Sequence, residues 1–366
     1  MIDAPTAARL QAIGLTPALR QHIDSQPDCP DAPFLRRVTE VQRDALTLHD
    51  GEREHPARAL PALLADETQS LAVGDWVFAC CNRHAEWWVP HRVPPLTQLA
   101  RRQHDGRDKV TRAVIVSNVD TALLVMGLDH DFNLRRLERY LALARLNGVP
   151  AVVVLTKADL CMPAYARARL REVCDMLPPG ADALALNAQG DEASAALAPW
   201  LQPGCTLVAL GSSGAGKSTL TNALLGEHRQ LTGASRAGDG RGRHTTSARS
   251  LHALPAGACV IDTPGLRTLR LDSDADTLQG VFDDIARLSA QCRFRDCRHQ
   301  DEPGCAVRDA LPAARLNNFH KLCREAERDV MSALERKALV ATWKARSRAV
   351  RTVMKIKRRS SAGSDA

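Results

Sequence analysis

The chain has 366 residues, 45% of them apolar, 25% charged and 4% aromatic, and a formal net charge of +7. That is enough apolar material for two or three ordinary cores, so intrinsic disorder and a collagen-like fibre are excluded. No apolar run approaches the roughly 18 residues of a membrane span, and the first residues lack the basic start and apolar core of a secretory signal; the expectation is a cytoplasmic protein with no membrane contact.

Residues 1–33 are polar with scattered prolines and predict a flexible arm. From Phe34 to Arg102 the pattern changes to five short strand-like runs, FLRRVTEV, ALTLHDG, ARALPALL, DWVFACC and EWWVPHRV, broken by Gly, Pro and Asp. This spacing predicts a small antiparallel β-barrel over 34–102, with Trp76, Trp87 and Trp88 as core fillers or base-stacking platforms. Residues 103–109 form a polar hinge.

Beyond the hinge, strands alternate with helices. AVIVSNVDTALLVMGL reads as strands, FNLRRLERYLALARLNG as a helix and AVVVL as a buried strand; a helix near Tyr165 to Leu177, strand ALAL, helix EASAALAPWL, strand TLVAL, helix KSTLTNALLG and strand ACVID follow. The alternation predicts a mostly parallel sheet covered on both faces over 110–285. Most of the eleven cysteines stand singly in apolar or helical settings and read as reduced thiols. At the end of the chain, residues 336–359 carry ten Lys or Arg and no acid, which leaves −3 for the rest. A basic arm over 336–366 is an electrostatic footprint for a polyanion, RNA or DNA first, or else a solvated helix end with a tail.

Strand TLVAL runs into Gly211-Ser212-Ser213-Gly214-Ala215-Gly216-Lys217-Ser218-Thr219, which satisfies G-x-x-x-x-G-K-[ST] between a strand and a helix. The glycines permit a tight loop whose N–H groups surround phosphates, Lys217 supplies a cation for the β and γ groups, and the Ser218 hydroxyl can ligate Mg²⁺. Asp262-Thr263-Pro264-Gly265 after strand ACVI fits D-x-x-G, whose Asp reaches Mg²⁺ through water and whose Gly senses the γ-phosphate, although such a tetrapeptide is also an ordinary turn. Thr156-Lys157-Ala158-Asp159 after AVVVL looks like the guanine-reading [NT]-K-x-D element. The Asp159 carboxylate can accept both donors of the guanine edge, and adenine would leave it unpaired. Asn187-Ala188 after ALAL stands where a further base-contacting loop is expected, with Asn in place of the usual Ser.

In ordinary GTPases the phosphate loop precedes the guanine element; here the order is reversed, so the domain is circularly permuted. Between phosphate loop and D-x-x-G lies the glycine-rich GDGRGRHTTS of Gly238 to Ser247, placed to be a switch. Thr245 or Thr246 would ligate Mg²⁺ there, with Thr246 favoured. Leu266 replaces the Gln that often orients the attacking water, and His244 is the candidate for that role. Finally, Cys292-x4-Cys297-x-His299-x5-Cys305 offers three thiolates and one imidazole, a closed tetrahedral set suited to one structural Zn²⁺.

Taken with TKAD, GSSGAGKST, GRGRHTTS, DTPG and the Cys/His cluster, the chain resembles the small-subunit-dependent ribosome biogenesis GTPases, the RsgA family, over about residues 34–325. The resemblance implies an N-terminal OB-like β-barrel, a central α/β circularly permuted P-loop GTPase domain and a mostly helical C-terminal zinc-binding domain, here 286–335. It implies GTP hydrolysis to GDP, stimulated by the small (30S) ribosomal subunit and its 16S rRNA, during late maturation, with nucleotide state gating release. A guanine-nucleotide-gated RNA-binding module with negligible turnover and a P-loop ATPase acting on nucleic acid are the competing readings. No heptad seam is present, and a monomer is expected.

Overall fold

The computed structural model describes residues 2–27, 33–42, 45–61, 63, 70–104, 110–178, 180–189, 191–226, 249–264, 271, 277–278 and 281–330. Five strands, β1 (Phe34–Gln42), β2 (Ala45–His49), β3 (Glu54–Ala59), β4 (Trp76–Cys81) and β5 (Trp87–Arg92), pair in the order β1-β2-β3-β5-β4, and β4 pairs back onto β1. Closure leaves the barrel no free edge. β3 and β5 run parallel and the other barrel pairs antiparallel. The third strand falls earlier than ARALPALL suggests. The Asp50 carboxylate accepts from the N–H groups of Glu52 and Arg53, which tightens the turn after β2 and starts β3 at Glu54.

The expected flexible arm is instead ordered through residue 27. α1 (Ala4–Gln11) and α2 (Pro17–Asp24) each begin at a side-chain cap, Asp3 and Thr16, with a proline in the first turn. Leu10, Ile13, Leu15, Leu19 and Ile23 are buried with Leu35, Trp76 and Val93 against the outside of the barrel. Each helix has only two turns, too few for its apolar period to stand out from the prolines.

The expected hinge at 103–109 is corrected at its start, and residues 105–109 lie outside the described residues. β6 (Gln98–His104) pairs along its length with β7 (Val110–Ser117), so residues 98–104 belong to a hairpin and not to the barrel. β6 reads QLARRQH, and its polar content hid the strand.

β8 (Thr121–Gly127), β9 (Ala151–Thr156), β10 (Asp182–Ala185), β11 (Thr206–Leu210), β12 (Ser250–Ala253) and β13 (Cys259–Asp262) form a sheet in the order β10-β9-β8-β11-β13-β12. All pairs are parallel except β12–β13. Alternate residues of β8, β9 and β11 enter separate cores on the two faces: Leu124, Met126, Val153 and Val208 on one, Leu123, Val125, Val152 and Leu207 on the other. Strands buried on both faces explain the near-continuous apolar runs AVVVL and TLVAL. The second face is covered by α5 (Asp191–Leu197) and α6 (Lys217–Leu225), and the first by α3 (Leu134–Leu146) and α4 (Pro163–Cys174). Ser250 of β12 pairs with Glu40 of β1, which joins sheet and barrel.

At the C-terminal end, α7 (Asp283–Ser289), α8 (Ala306–Ala310) and α9 (Ala313–Val330) enclose the Cys/His cluster. α7 straddles the expected domain boundary at 285/286. α9 places Leu316, Phe319, Leu322 and Ala326 in the first-face core beside α3. The basic arm 336–366 lies outside the described residues.

Candidate functional site

Because β9, β11 and β13 run parallel, the segments that follow them emerge at one edge of the sheet. That is where parallel α/β sheets bind ligands. The phosphate loop follows β11, Thr156 to Asp159 end and follow β9, and Asp262 ends β13. Residues 57 to 59 apart in sequence are therefore in contact, and the contacts are specific. Thr156 Oγ1, fully buried, donates to the Ala215 carbonyl at 2.6 Å, and Lys157 Nζ donates to the Gly214 carbonyl at 2.7 Å. Gly216, at φ +92°, faces Thr156 so closely that a Cβ would stand 3.1 Å from its hydroxyl. A Cβ on Gly211 would lie 2.4 Å from the Val125 carbonyl of β8. Glycine is thus required at Gly211 by approach to the backbone of β8, and at Gly216 by conformation.

Lys217 opens α6 and is buried, its Nζ donating to the Ser212 carbonyl at 2.7 Å. Burial pulls its pKa below the usual ammonium value, opposed by the charges of Asp262 and Asp131. The Ser218 hydroxyl donates to Asp262 at 3.1 Å. A hydroxyl and a buried carboxylate side by side at the loop are the donor set a hard divalent cation takes, so these residues fit Mg²⁺. Thr263 Oγ1 donates to the Ala209 carbonyl at 2.6 Å, pinning the start of the D-x-x-G turn to β11. Ser213, Gly214 and Thr219 are exposed along the loop and first helical turn.

Lys157 has a left-handed backbone, φ +63°, that turns the chain into a one-turn 3₁₀ segment, Ala158–Leu160. Asp159 is exposed on it, open to a ligand, and Ala158 N donates to the Leu186 carbonyl at 3.3 Å, which brings the Asn187-Ala188 loop alongside. The Asn187 side-chain oxygen accepts from Gln189 N at 3.0 Å, so this side chain braces its own loop. Ala188 is buried. Of the remaining expected residues, Gly265, His244 and Thr246 lie outside the described residues, as do Thr245 and Leu266.

Two acids on the loop after β8 were not singled out from sequence. Asp129 Oδ2 pairs with Lys157 Nζ at 2.8 Å, and that hydrogen bond holds its carboxyl below the usual range. Asp131 accepts from Ser212 Oγ of the phosphate loop at 2.5 Å and from Gly127 N at 3.1 Å. Two acids between a strand and a helix look like turn residues, and only the permuted neighbours give them meaning.

Away from this edge, the ligand atoms of Cys292, Cys297, His299 and Cys305 all lie within 4.8 Å of one another. His299 Nδ1 stands 3.7 Å from Cys292 Sγ and 3.5 Å from Cys305 Sγ, close to the ligand separations of tetrahedral zinc. Ser289 Oγ donates to the Ile285 carbonyl at 2.7 Å and lies 2.9 Å from His299 Nε2. With its proton on Nε2, donated to Ser289, the imidazole would turn the Nδ1 lone pair toward the sulfurs. Burial lowers the His299 pKa, which favours the neutral ligand form. Burial and the adjacent Cys305 and Cys292 sulfurs push the Cys297 thiol up to about 11, a crowding of thiolates that a divalent cation relieves. The residues fit a closed, structural Zn²⁺ site.

The profile of the RsgA GTPase family matches residues 94–272. The "Small ribosomal subunit biogenesis GTPase RsgA" of Xylella fastidiosa (strain M23) is 48% identical over 69% of this chain and 75% of its own length. The protein of the same name from Xanthomonas axonopodis pv. citri (strain 306) is 43% identical over 82% of each chain. Among solved structures, YjeQ from Thermotoga maritima superposes with a TM-score of 0.59 at 23% identity, covering 80% of this chain and 98% of that one. YloQ, described as a circularly permuted GTPase, gives 0.55 at 23% identity over 80% and 95%. These two share the fold. Among the described residues no helix is long and apolar enough to cross a membrane.

Proposed function

The chain belongs to the RsgA GTPase family, and on that premise we propose that it hydrolyses GTP in the biogenesis of the small ribosomal subunit, in the cytoplasm. The observation that carries this reading is the contact of Thr156 and Lys157 with the carbonyls of Ala215 and Gly214, which seats a base-reading element against a phosphate loop. Asp159 accepts from the guanine N1–H and N2–H₂ groups while the Lys157 stem lies along the base. Backbone N–H groups of Gly211 to Lys217 surround the phosphates, and the Lys217 ammonium leaves the Ser212 carbonyl for the β and γ oxygens. Ser218 and Asp262 would hold Mg²⁺, joined by Thr246; when bound, the ion neutralises charge developing on the phosphate oxygens. Thr263 is tied to β11 at the start of the D-x-x-G segment, and the Gly265 N–H senses the γ-phosphate.

Leu266 cannot hydrogen-bond a water, and His244 takes that part, as acceptor for the proton of the attacking water. A switch lacking the usual Gln is slow until a partner orders it, and the small subunit with its 16S rRNA is that partner. The barrel, the zinc module and the basic residues 336–359 are three elements that grip RNA, so affinity depends on nucleotide state and release follows hydrolysis. Zn²⁺ on Cys292, Cys297, His299 and Cys305 is structural, since four protein ligands leave no position for water. The protein acts as a monomer.

The test is phosphate release by His244→Ala beside the unchanged protein, each with and without small subunits. Stimulated release by the unchanged protein, lost in the variant while GTP still binds, is the expected result; equal stimulation of both removes His244 from the mechanism.

A further inference from the structure

The loop that follows β8 touches both halves of the nucleotide site through side chains to which the reading above gives no role. Asp131 is buried, and its Oδ1 accepts from Ser212 Oγ, the second residue of the phosphate loop. Its other oxygen accepts from Gly127 N, at the end of β8, at 3.1 Å. Arg136, on the first turn of α3, donates to the same carboxylate and to the Asp131 carbonyl, so the acid is fixed from the helix as well as from the strand. Two residues earlier, Asp129 holds Lys157 Nζ at 2.8 Å, and the same ammonium reaches the Gly214 carbonyl at 2.7 Å. A Cβ on Gly127 would stand 2.6 Å from the Asp129 carboxylate, so the loop folds tightly over the strand end.

We propose that Asp131 and Asp129 are positioning residues of the nucleotide site. Asp131 holds the phosphate loop in its binding shape through Ser212, and Asp129 sets the base-reading element through Lys157. Neither touches the nucleotide. A phosphate loop is a run of small residues with its N–H groups turned inward; without an anchor it must be ordered when ligand binds, and that cost appears as lost affinity. Ser212 has one hydroxyl, and a charged acceptor makes its hydrogen bond a strong one. Lys157, paired with Asp129, keeps its stem in one place while the backbone turns to present Asp159. The two acids therefore act on different ends of the ligand, which makes their roles separable.

This inference rests on the reading of Asp159 and of the phosphate loop given above. The experiment is equilibrium binding of GDP and ADP to the full chain and to Asp131→Asn, Ser212→Ala, the Asp131→Asn/Ser212→Ala double variant and Asp129→Asn, together with KM and kcat for GTP. Asp131→Asn weakens GDP about tenfold, the scale of one charge-assisted hydrogen bond, and weakens ADP by the same factor. Ser212→Ala does likewise, and the double variant is no worse than either single one, because both remove one contact. KM for GTP rises in step while kcat at saturation holds within about twofold. Asp129→Asn lowers the preference for GDP over ADP. Additive losses in the double variant, unchanged affinity, or a fall in kcat without a rise in KM overturns the proposal for Asp131. Unchanged selectivity in Asp129→Asn overturns it for Asp129. Should Asp131→Asn not fold, Ser212→Ala questions the same contact from the half-buried loop side. If the unchanged protein binds ADP as well as GDP, the reading of Asp159 fails, and the Asp131–Ser212 cycle is still decided on whichever nucleotide binds.

Discussion

Replacing Arg315 by methionine tests how the C-terminal helices around the Cys/His cluster are held on the nucleotide-binding domain. The Arg315 guanidinium spans two acids from different elements, Glu138 of α3 and Asp284 of α7, each at 2.5 Å, and lies over the Phe282 ring at 5.5 Å. Glu138 and Arg315 side chains keep only 8% and 17% of their exposure, and Asp284 keeps 25%. Removing one partner of a buried ion pair costs about 3–5 kcal/mol, chiefly because the other charge is left behind. Here Asn318 still donates to Glu138 and water still reaches Asp284, which puts the expected loss at the lower end, about 3 kcal/mol. Methionine keeps an apolar chain of similar length beside Phe282 and removes the cation, so the loss reports the charges, the cation–π contact included. Native-state hydrogen exchange is the appropriate assay because a chain of several domains need not unfold in one step. Amides of α9 should exchange roughly a hundredfold faster, the rate equivalent of that energy, while those of β8 and β11 hold. The Arg315→Met/Glu138→Gln pair should recover part of the loss, since it removes the stranded charge. A change below about threefold in α9 would refute the reasoning and assign the docking to Leu316, Phe319 and Leu322 alone.

Three further outcomes follow from the same contacts. Metal analysis should find one zinc per chain, and a strong chelator or Cys305→Ser should remove it and lower the melting temperature, with the loss of protection centred on residues 286–311; an unchanged melt after zinc removal would contradict a structural site. Asp159→Asn should weaken GTP at least roughly tenfold in equilibrium binding, and leave the melting temperature of the nucleotide-free protein unchanged, because the side chain is exposed. At Asp50, burial raises the carboxyl pKa, but hydrogen bonds from His55 and from the N–H groups of Arg53 and Glu52 outweigh it and hold the group well below the usual range. A folded-state value below the unfolded one gives stability that is present above about pH 4 and disappears as pH falls through the folded value. Denaturant titrations from pH 5 down to 2 should therefore show a shallower loss for Asp50→Asn than for the unchanged chain; parallel curves would count against it.

The sheet was legible because its strands are buried on both faces and read as unbroken apolar runs, and the motifs were legible because their chemistry fixes residue types at fixed spacings. The reversed order of TKAD and GSSGAGKST already implied permutation, and the fold brings Thr156 onto Ala215. The Cys/His cluster was legible for the same reason, four soft ligands in a short span. What escaped depends on partners distant in sequence. α1 and α2 are too short for their apolar period to be seen, although Asp3 and Thr16 followed by proline were cap signals in plain view. β6 is polar, and its strand character comes from pairing with β7. Asp129 and Asp131 look like turn acids until the fold carries Lys157 and Ser212 to them. Glu138 and Arg315 are separated by 177 residues, and no local pattern joins them.

The central claim is that this permuted site is a guanine-specific hydrolase switched on by the small ribosomal subunit. Phosphate release from GTP and from ATP, each with and without purified small subunits, tests it most directly. The account predicts slow release from GTP alone, strong stimulation by subunits, and negligible release from ATP in either condition. Equal turnover of ATP would contradict the assignment of Asp159 and favour a nucleic-acid ATPase, and GTP binding with no stimulated turnover would reduce the protein to a nucleotide-gated RNA-binding module.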